Sequence, residues 1–314
     1  AACVVNATGV WVDAVRNMDV APGAPPKRPM VAPSQGVHLV VDAHFLQTDH
    51  AMLIPKTADG RVLFAVPWMG KVILGTTDTP RHDLAAEPAP FHDEVEFILT
   101  EAGRYLSQAP TRADVRSVWV GLRPLVKPPE DDGGNTKALS REHTVLVDKS
   151  GLVTVTGGKW TTYRAMAEDV LTQCFASGLL AAKPGGMTEH LPLAGSPEKG
   201  AAVMSLTRSP GESMYGSDAP ALRALPGADR WLWKAAGGGL TEAMVRFAVR
   251  SEMARSVEDV LARRSRLLFL DARVAASLAD EVATLLAQEM ADGFDARASA
   301  ESFRLLAASY LVLP

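Results

Sequence analysis

Residues 157–164 have the sequence Gly-Gly-Lys-Trp-Thr-Thr-Tyr-Arg, and this stretch decides the fold of the chain. It follows an apolar run, residues 152–156, that is typical of a buried strand. It precedes a segment in which Met166, Val170 and Cys174 recur at every fourth position, the spacing of one helix face. Two glycines and a lysine are therefore expected where a strand gives way to a helix.

A turn of this kind suits an anionic or electron-rich ligand. The first backbone amides of a helix are unpaired and partly positive, and glycine lets a ligand approach the main chain closely. Lys159 and Arg164 add positive charge. The motif is neither a Walker A loop, because Lys159 follows the second glycine directly, nor G-x-G-x-x-G. From these residues alone, an ordinary Gly-Gly turn without a ligand remains the alternative.

The composition narrows the class of protein. The chain has 314 residues, which favours about two domains, and its net charge of -4 argues against a nucleic-acid binder. No apolar run reaches the roughly 18 residues that span a bilayer. The chain begins in an apolar strand, with neither an initiator methionine nor a basic leader, so we expect a fragment of a longer protein. Cys3 and Cys174 lie in apolar segments and are expected to be reduced thiols.

Short apolar segments separated by tight turns predict a largely antiparallel sheet. The predicted strands are 37–41, 51–54, 62–66, 72–76, 117–122 and a hairpin of 144–147 with 152–156. Asp93 is the expected N-cap of a helix between the fourth and fifth of these strands. The Pro-rich residues 22–33 are expected to be a linker. Beyond about residue 220 we expect mostly helix, with the triplet at 237–239 far from any strand.

Three further stretches accompany the Gly-Gly-Lys motif. They are Asn-Ala-Thr-Gly-Val-Trp at 6–11, Pro-Trp-Met-Gly at 67–70 with Leu-Gly-Thr-Thr-Asp-Thr at 74–79, and Val-Gly-Leu-Arg-Pro-Leu at 120–125. In this order the set resembles the flavin-dependent, quinone-linked glycerol-3-phosphate dehydrogenases of respiration. Residues 215–217 and 252–264 resemble that family's C-terminal helical domain, so the resemblance extends over nearly the whole chain. Val10 departs from it, since proline often stands there.

The resemblance implies an α/β fold followed by an α domain. The α/β part would be an incomplete FAD-binding domain of the glutathione-reductase or amino-acid-oxidase type, with an antiparallel-sheet substrate domain. The expected boundaries are 1–20 for the end of the FAD-binding domain, 21–125 for the substrate sheet, 126–182 for the return to the FAD-binding domain, 183–200 for a linker and 201–314 for the helical domain. The family's G-x-G-x-x-G unit, which holds the ADP half of the flavin, is missing from the sequence. This chain alone is therefore expected to bind FAD weakly.

The implied reaction oxidises sn-glycerol 3-phosphate to dihydroxyacetone phosphate, with hydride transfer from C2 to N5 of FAD and electrons passing to quinone. Arg123 and Arg141 are the expected phosphate ligands, since a guanidinium offers a rigid fork of donors. His38 is expected to accept the hydroxyl proton. Lys159 is expected to polarise the substrate oxygen or to lie beside the flavin. The predicted FAD contacts are Ala7, Thr8, Gly9, Gly158, Lys159, Trp160 and Thr161.

Each of these residues also has a simpler interpretation. His38 alone would be a packed core histidine, the arginines would form surface ion pairs and Lys159 would be solvated. Asp78 either caps a turn or forms a hydrogen bond near the site. His44 and His50 match no zinc spacing, so no metal is expected.

The function of the whole molecule has alternatives as well. Besides the reaction implied by the resemblance, the chain could be another amino-acid-oxidase-like flavoenzyme, or an inactive fragment or structural module. We expect a cytoplasmic protein, peripheral on the inner face of the membrane, that forms a homo-oligomer. The arginines at 263, 264 and 266 would face either anionic lipid or solvent.

Overall fold

A computed structural model describes residues 1–58, 60–127, 142–183, 185–197, 200–201, 204–290 and 293–314. The chain divides into two compact units, each assembled from separate segments. The first comprises Ala1–Gly36, Asp78–Pro88 and Val120–Leu191, and the second comprises Val37–Thr77, Ala89–Trp119 and Pro192–Pro314. The described residues of 1–20 and 126–182, both assigned to the FAD-binding domain from the sequence, fall in the first unit.

The elements follow in chain order. The strands are β1 (Val4–Asn6), β2 (Val31–Asp42), β3 (Met52–Ile54), β4 (Leu63–Trp68), β5 (Lys71–Gly75), β6 (Thr79–Pro80), β7 (Ser117–Val126), β8 (His143–Val147), β9 (Leu152–Gly157), β10 (Trp231–Ala235) and β11 (Gly238–Thr241). The helices are α1 (Val12–Met18), α2 (His92–Gly103), α3 (Tyr163–Ala176), α4 (Ala219–Arg223), α5 (Glu242–Arg250), α6 (Leu267–Leu270), α7 (Ala272–Ser277), α8 (Ala279–Glu289) and α9 (Ala296–Ser309). Short 3₁₀ turns at Gly9–Trp11 and Trp160–Thr162 lead into α1 and α3.

The first unit contains a three-stranded sheet in the order β1-β9-β8. β1 runs parallel to β9, and β8 and β9 form the predicted antiparallel hairpin. Val153 and Val155 of β9 are buried against Val170 and Cys174 of α3, the helix face that the fourfold spacing predicted. Cys3 and Cys174 are free thiols whose sulfur atoms lie 3.8 Å apart.

The larger sheet has the order β3-β4-β5-β2-β6, with β7 also paired to β2. The pairs β2–β5, β2–β6, β3–β4 and β4–β5 are antiparallel, as the short strand spacing predicted. β2 begins at Val31, so the end of the Pro-rich segment is strand and not linker. Its N-terminal part is held by Pro80 and Thr79 of β6, a pairing between residues far apart in sequence.

Two local predictions are wrong. Asp93 lies within α2, whose N-cap is Phe91; the Glu94 carboxylate accepts a hydrogen bond from the Phe91 amide at 2.9 Å. Residues 237–239 are not remote from a strand, because β10 and β11 form an antiparallel hairpin there. A side chain at Gly238 would meet the carbonyl oxygen of Pro210 at 2.2 Å, so close backbone contact requires the glycine.

The C-terminal helices of the second unit pack around an apolar core, as predicted for this part of the chain. Val282, Leu285 and Leu286 of α8 and Phe303 and Ala307 of α9 are buried in this core. The helix starts are capped by side chains: those of α7 and α9 are held by Asp271 and Asp295, which accept hydrogen bonds from the amides of Val274 and Ala298.

Asp42, at the end of β2, binds two cations within the second unit. Its carboxylate accepts hydrogen bonds from Lys71 Nζ at 2.6 Å and from Arg116 Nε at 2.9 Å. Burial raises the pKa of Asp42, but the hydrogen bonds from Arg116 and Lys71 outweigh burial and lower the pKa below the ordinary value. The ionised carboxylate therefore stabilises the folded unit.

We expect Asp42→Asn to lower the stability of the protein by about 1–3 kcal/mol at neutral pH, less than for a fully buried pair. Because the folded pKa lies below the unfolded one, this contribution is present above the unfolded pKa and is lost as pH falls through the folded pKa. The difference in Tm between wild type and variant should thus be largest at neutral pH and shrink in acid below about pH 4. Asp49→Asn, at an exposed carboxylate beside His50, is the matched control and should leave Tm unchanged. A pH-independent difference would contradict this assignment.

Candidate active site

The Gly-Gly-Lys motif forms the predicted bend between β9 and α3. Gly157 and Gly158 have φ of +77° and +74°, the left-handed region that favours glycine. The bend is closed by Thr162, whose amide donates to the Lys159 carbonyl at 3.0 Å and whose hydroxyl lies 3.3 Å from the Lys159 amide. The first amides of a helical turn such as Trp160–Thr162 have no partner within the turn itself.

The two glycines serve the packing of the bend. A side chain at Gly157 would meet the carbonyl oxygen of Glu142 at 2.5 Å, and one at Gly158 would meet the sulfur of Met166 at 2.5 Å. Sequence reasoning assigned these glycines to the approach of a ligand. Atoms of the protein itself occupy the space of their missing side chains, so a ligand would meet these two residues through their main chain.

A cavity of 670 Å³ opens beside this bend. It is lined by residues 122–125 of β7, residues 157–160 of the bend, and Tyr163 and Met166 of α3. Arg123 and Lys159, predicted to act in one site, therefore line the same cavity within the first unit. Trp160 is 87% exposed at its rim, and the lining is mostly apolar around the two cationic residues.

The guanidinium of Arg123 lies directly over the backbone of Gly36. A side-chain carbon at Gly36 would fall 2.1 Å from Nη2 and 2.6 Å from Cζ of Arg123. Only a residue without a side chain leaves this space. Sequence reasoning missed Gly36, since a glycine at the start of an apolar strand carries no signal of which arginine will cover it.

The Ala7–Thr8–Gly9 turn follows β1 at the edge where β9 ends. Asn6 pairs with Thr154 in the parallel register, and the carboxyl ends of parallel strands meet at the same edge of a sheet. Asn6 is buried and holds the turn: its Oδ1 accepts from the Thr8 hydroxyl at 2.7 Å, and its Nδ2 donates to the Val12 carbonyl at 2.9 Å. Gly9 has φ of +62° with no atom within 4 Å of its missing side chain, which leaves the backbone open to a ligand. The turn is not among the described residues that line the cavity.

The remaining predicted residues lie elsewhere. His38 belongs to β2 within the second unit, where it pairs in register with Gly75. Arg141 lies outside the described residues. Asp78 accepts a hydrogen bond from the hydroxyl of Ser34 in the first unit. Within the parts of the chain that the structure describes, no three His, Cys, Asp or Glu side chains are grouped to hold a metal ion.

The residues around the cavity fit the ring end of a flavin. The volume lies within the range of about 300–1,000 Å³ typical of cofactor and ligand sites. Apolar side chains supply flat surface for an aromatic ring, while Lys159 and the amides of the following turn supply positive potential for its polar edge. The sequence carries no G-x-G-x-x-G for the ADP half.

The chain belongs to the FAD dependent oxidoreductase family, whose model matches residues 1–168. A second model, the C-terminal domain of alpha-glycerophosphate oxidase, matches residues 187–293. These matches confirm the predicted class, cofactor and fold.

Within this class the chain is similar to glycerol-3-phosphate dehydrogenases. It is 36% identical to the mitochondrial enzyme of Arabidopsis thaliana over 91% of this chain and 48% of that protein, and 34% identical to the human mitochondrial enzyme over 92% and 41%. The glycerol-3-phosphate dehydrogenase of Bacillus halodurans, solved in complex with FAD, superposes with a TM-score of 0.74 at 25% identity, covering 99% of this chain and 63% of that one. The chain thus spans about half the length of the curated relatives it matches.

The described helices were compared with the length and apolar character of a membrane-spanning helix. None of them combines the length and apolar character needed to cross a bilayer. Of the basic cluster, Arg263 pairs with Glu258 and Asp259, and Arg264 donates to the Glu252 carbonyl.

Proposed function

We propose that the protein oxidises sn-glycerol 3-phosphate at C2 to dihydroxyacetone phosphate. The observation that carries this proposal is the shared cavity of Arg123 and Lys159 beside the bend. The substrate is inferred from the names of the relatives, and the cofactor is that of the family. When bound, FAD would supply the acceptor, its N5 atom, for the hydride that leaves C2.

Arg123 binds the substrate phosphate in this proposal. Its guanidinium is a permanently charged fork that matches the geometry of phosphate oxygens. The guanidinium lies against the main chain at Gly36, which limits the orientations that the fork can take. By resemblance Arg141 supplies a second cation to the same dianion.

His38 accepts the hydroxyl proton, so that the C2–O bond can become a carbonyl as hydride leaves C2. Lys159 stabilises the negative charge that develops on the substrate oxygen, since its ammonium group is a compact positive charge on a flexible stem.

The cofactor is held from two places at the carboxyl edge of the small sheet. Ala7, Thr8 and Gly9 offer main-chain contacts after β1, and Gly158, Lys159, Trp160 and Thr161 offer them after β9. The amides before α3 would supply partial positive charge to the polar edge of the flavin ring. We further propose a membrane quinone as electron acceptor, a peripheral position on the inner face of the cytoplasmic membrane, and a homo-oligomer.

The test uses the purified protein supplemented with FAD under anaerobic conditions. Loss of the oxidised-flavin absorbance on adding sn-glycerol 3-phosphate, but not glycerol, supports the proposal. Reduction by amino acids or other substrates without dependence on a phosphate group would indicate another flavoenzyme. A protein that takes up no flavin would indicate a structural module.

Gly36→Ala is expected to displace Arg123 and to raise the KM for glycerol 3-phosphate by about 10-fold, equivalent to about 1.4 kcal/mol. Tm should change little, because the displaced atoms are the end of a flexible side chain. Gly121→Ala is the matched control on β7, two residues from Arg123, where a side chain meets nothing within 4 Å. Steady-state kinetics of both variants check this, and equal KM values in the two would contradict the support role of Gly36.

A further inference from the structure

The imidazole of His38 is held by neighbours on two other strands of the second unit. The indole of Trp119 on β7 stacks on it, with ring centroids 4.2 Å apart and planes inclined by 19°. On β5, Gly75 is its register partner, and a side chain there would fall 2.5 Å from Cδ2 and 3.1 Å from Nε2 of His38. The ring therefore occupies a slot that leaves little freedom of rotation.

Trp119 is itself fixed by the C-terminal helices of the same unit. Phe269 of α6 meets its ring edge-on at 5.7 Å, and Tyr310, just after α9, meets Phe269 edge-on at 5.7 Å. The backbone before Trp119 is anchored to the same helices: the Val118 amide donates to the Tyr310 carbonyl at 2.8 Å, and the Ser117 hydroxyl donates to the Leu268 carbonyl at 2.9 Å. A continuous set of contacts thus runs from α6 and α9 to His38.

Packing alone does not account for an indole at this position. Trp119 Nε1 is buried and has no hydrogen-bond partner among the described residues. A buried unpaired N–H is unfavourable, so a phenylalanine would fill the position without that penalty. What the position gains over a phenyl ring is the larger flat face of the indole stacked on the imidazole.

We propose that Trp119 is a positioning residue that sets the orientation of His38. The proposal rests on the proposed function, in which His38 accepts the substrate proton. A general base works only when its nitrogen is within hydrogen-bond reach of that proton, and a displacement of about 1 Å can reduce the rate by about 100-fold. The helices of the C-terminal region thereby contribute to catalysis without contacting substrate.

The experiment compares Trp119→Leu, Trp119→Phe and Trp231→Leu in the FAD-loaded protein. We expect Trp119→Leu to lower kcat by about 10- to 100-fold with KM for glycerol 3-phosphate unchanged, because orientation and not binding is lost. Trp119→Phe restores a stacked ring and should recover most of kcat. Trp231→Leu removes a half-exposed tryptophan of β10 and should leave kcat unchanged.

A second readout needs neither flavin nor substrate. The ring protons of His38, assigned by their loss in His38→Gln, should be shifted upfield in the NMR spectrum by the stacked indole. Trp119→Leu should remove this shift and Trp119→Phe should retain part of it. If Trp119→Leu does not fold, the Phe variant alone carries the comparison: a wild-type shift pattern with a large fall in kcat would overturn the proposal.

The outcomes separate this inference from the proposed function. If His38→Gln retains wild-type kcat, the assignment of His38 as the base fails, and Trp119 has no catalytic residue to orient. If His38→Gln is inactive but Trp119→Leu has wild-type kcat, the inference alone fails. A fall in kcat in Trp119→Leu with unmoved His38 signals would likewise overturn it.

Discussion

Arg123→Met is expected to raise the KM for glycerol 3-phosphate by about 100- to 1,000-fold, equivalent to about 3–4 kcal/mol. Methionine keeps much of the apolar stem but removes the charge and both hydrogen bonds of the guanidinium fork. The arginine lines the cavity, and its guanidinium lies against the main chain at Gly36, so methionine cannot replace the donors that the fork presents to a phosphate. The measurement is steady-state kinetics with the phosphorylated substrate.

Two variants sharpen this test. Arg123→Lys keeps a charge but loses the planar fork, so its KM should lie between those of wild type and the methionine variant. Arg304→Met removes an arginine of α9 that pairs with Asp280 at the surface, and KM should not change. An unchanged KM in Arg123→Met, or an equal loss of activity toward an unphosphorylated alcohol, would show that Arg123 does not bind phosphate.

Gly157→Val should destabilise the first unit and abolish flavin retention. Valine is strained at φ of +77°, a conformation that costs ordinary residues about 1–2 kcal/mol. Its side chain would also meet the Glu142 carbonyl oxygen at 2.5 Å and Val126 at 2.6 Å, which adds about 1–3 kcal/mol or more of overpacking. Because the cavity is lined by this bend, a bend that shifts to relieve the contact loses the shape that would hold the flavin ring.

Gly178→Val provides the control for backbone strain. Gly178 follows α3, has φ of +72° and has no atom within 4 Å of its missing side chain. Valine at this position should therefore lower the stability only by the free energy of the left-handed conformation, and flavin absorbance should remain. Thermal unfolding and the absorbance of the purified proteins compare the two variants. Equal Tm values with flavin retained in both would mean that the close packing at Gly157 has no part in the site.

Much of the local structure could be predicted from the sequence. The strand, bend and helix around residues 157–164 follow from an apolar run, two glycines and a fourfold helical spacing, all within about twenty residues of one another. The antiparallel pairing of the larger sheet followed from short strands and tight turns. These features depend on backbone preferences and on apolar spacing, which neighbouring residues determine.

The site was identified differently, because no local rule connects Arg123 with Lys159. Their joint role was predicted from the ordered resemblance to a family, and their common cavity appears only in the folded first unit. The helix start at Phe91 was missed for a different reason. The carboxylate of Glu94, and not that of the more usual Asp93, accepts the hydrogen bond from the Phe91 amide.

The chain's sequence by itself therefore determined the elements, the bend and the class of protein. Three contacts were decided only by the tertiary structure. The Arg123 guanidinium lies against the main chain at Gly36, the carbonyl of Pro210 leaves no room for a side chain at Gly238, and the Trp119 ring stacks on His38. Each of these is a contact between residues separated by tens of positions in the chain. Such contacts are set by how strands and helices pack, and hydrophobic periodicity specifies which face is buried but not which residue it meets.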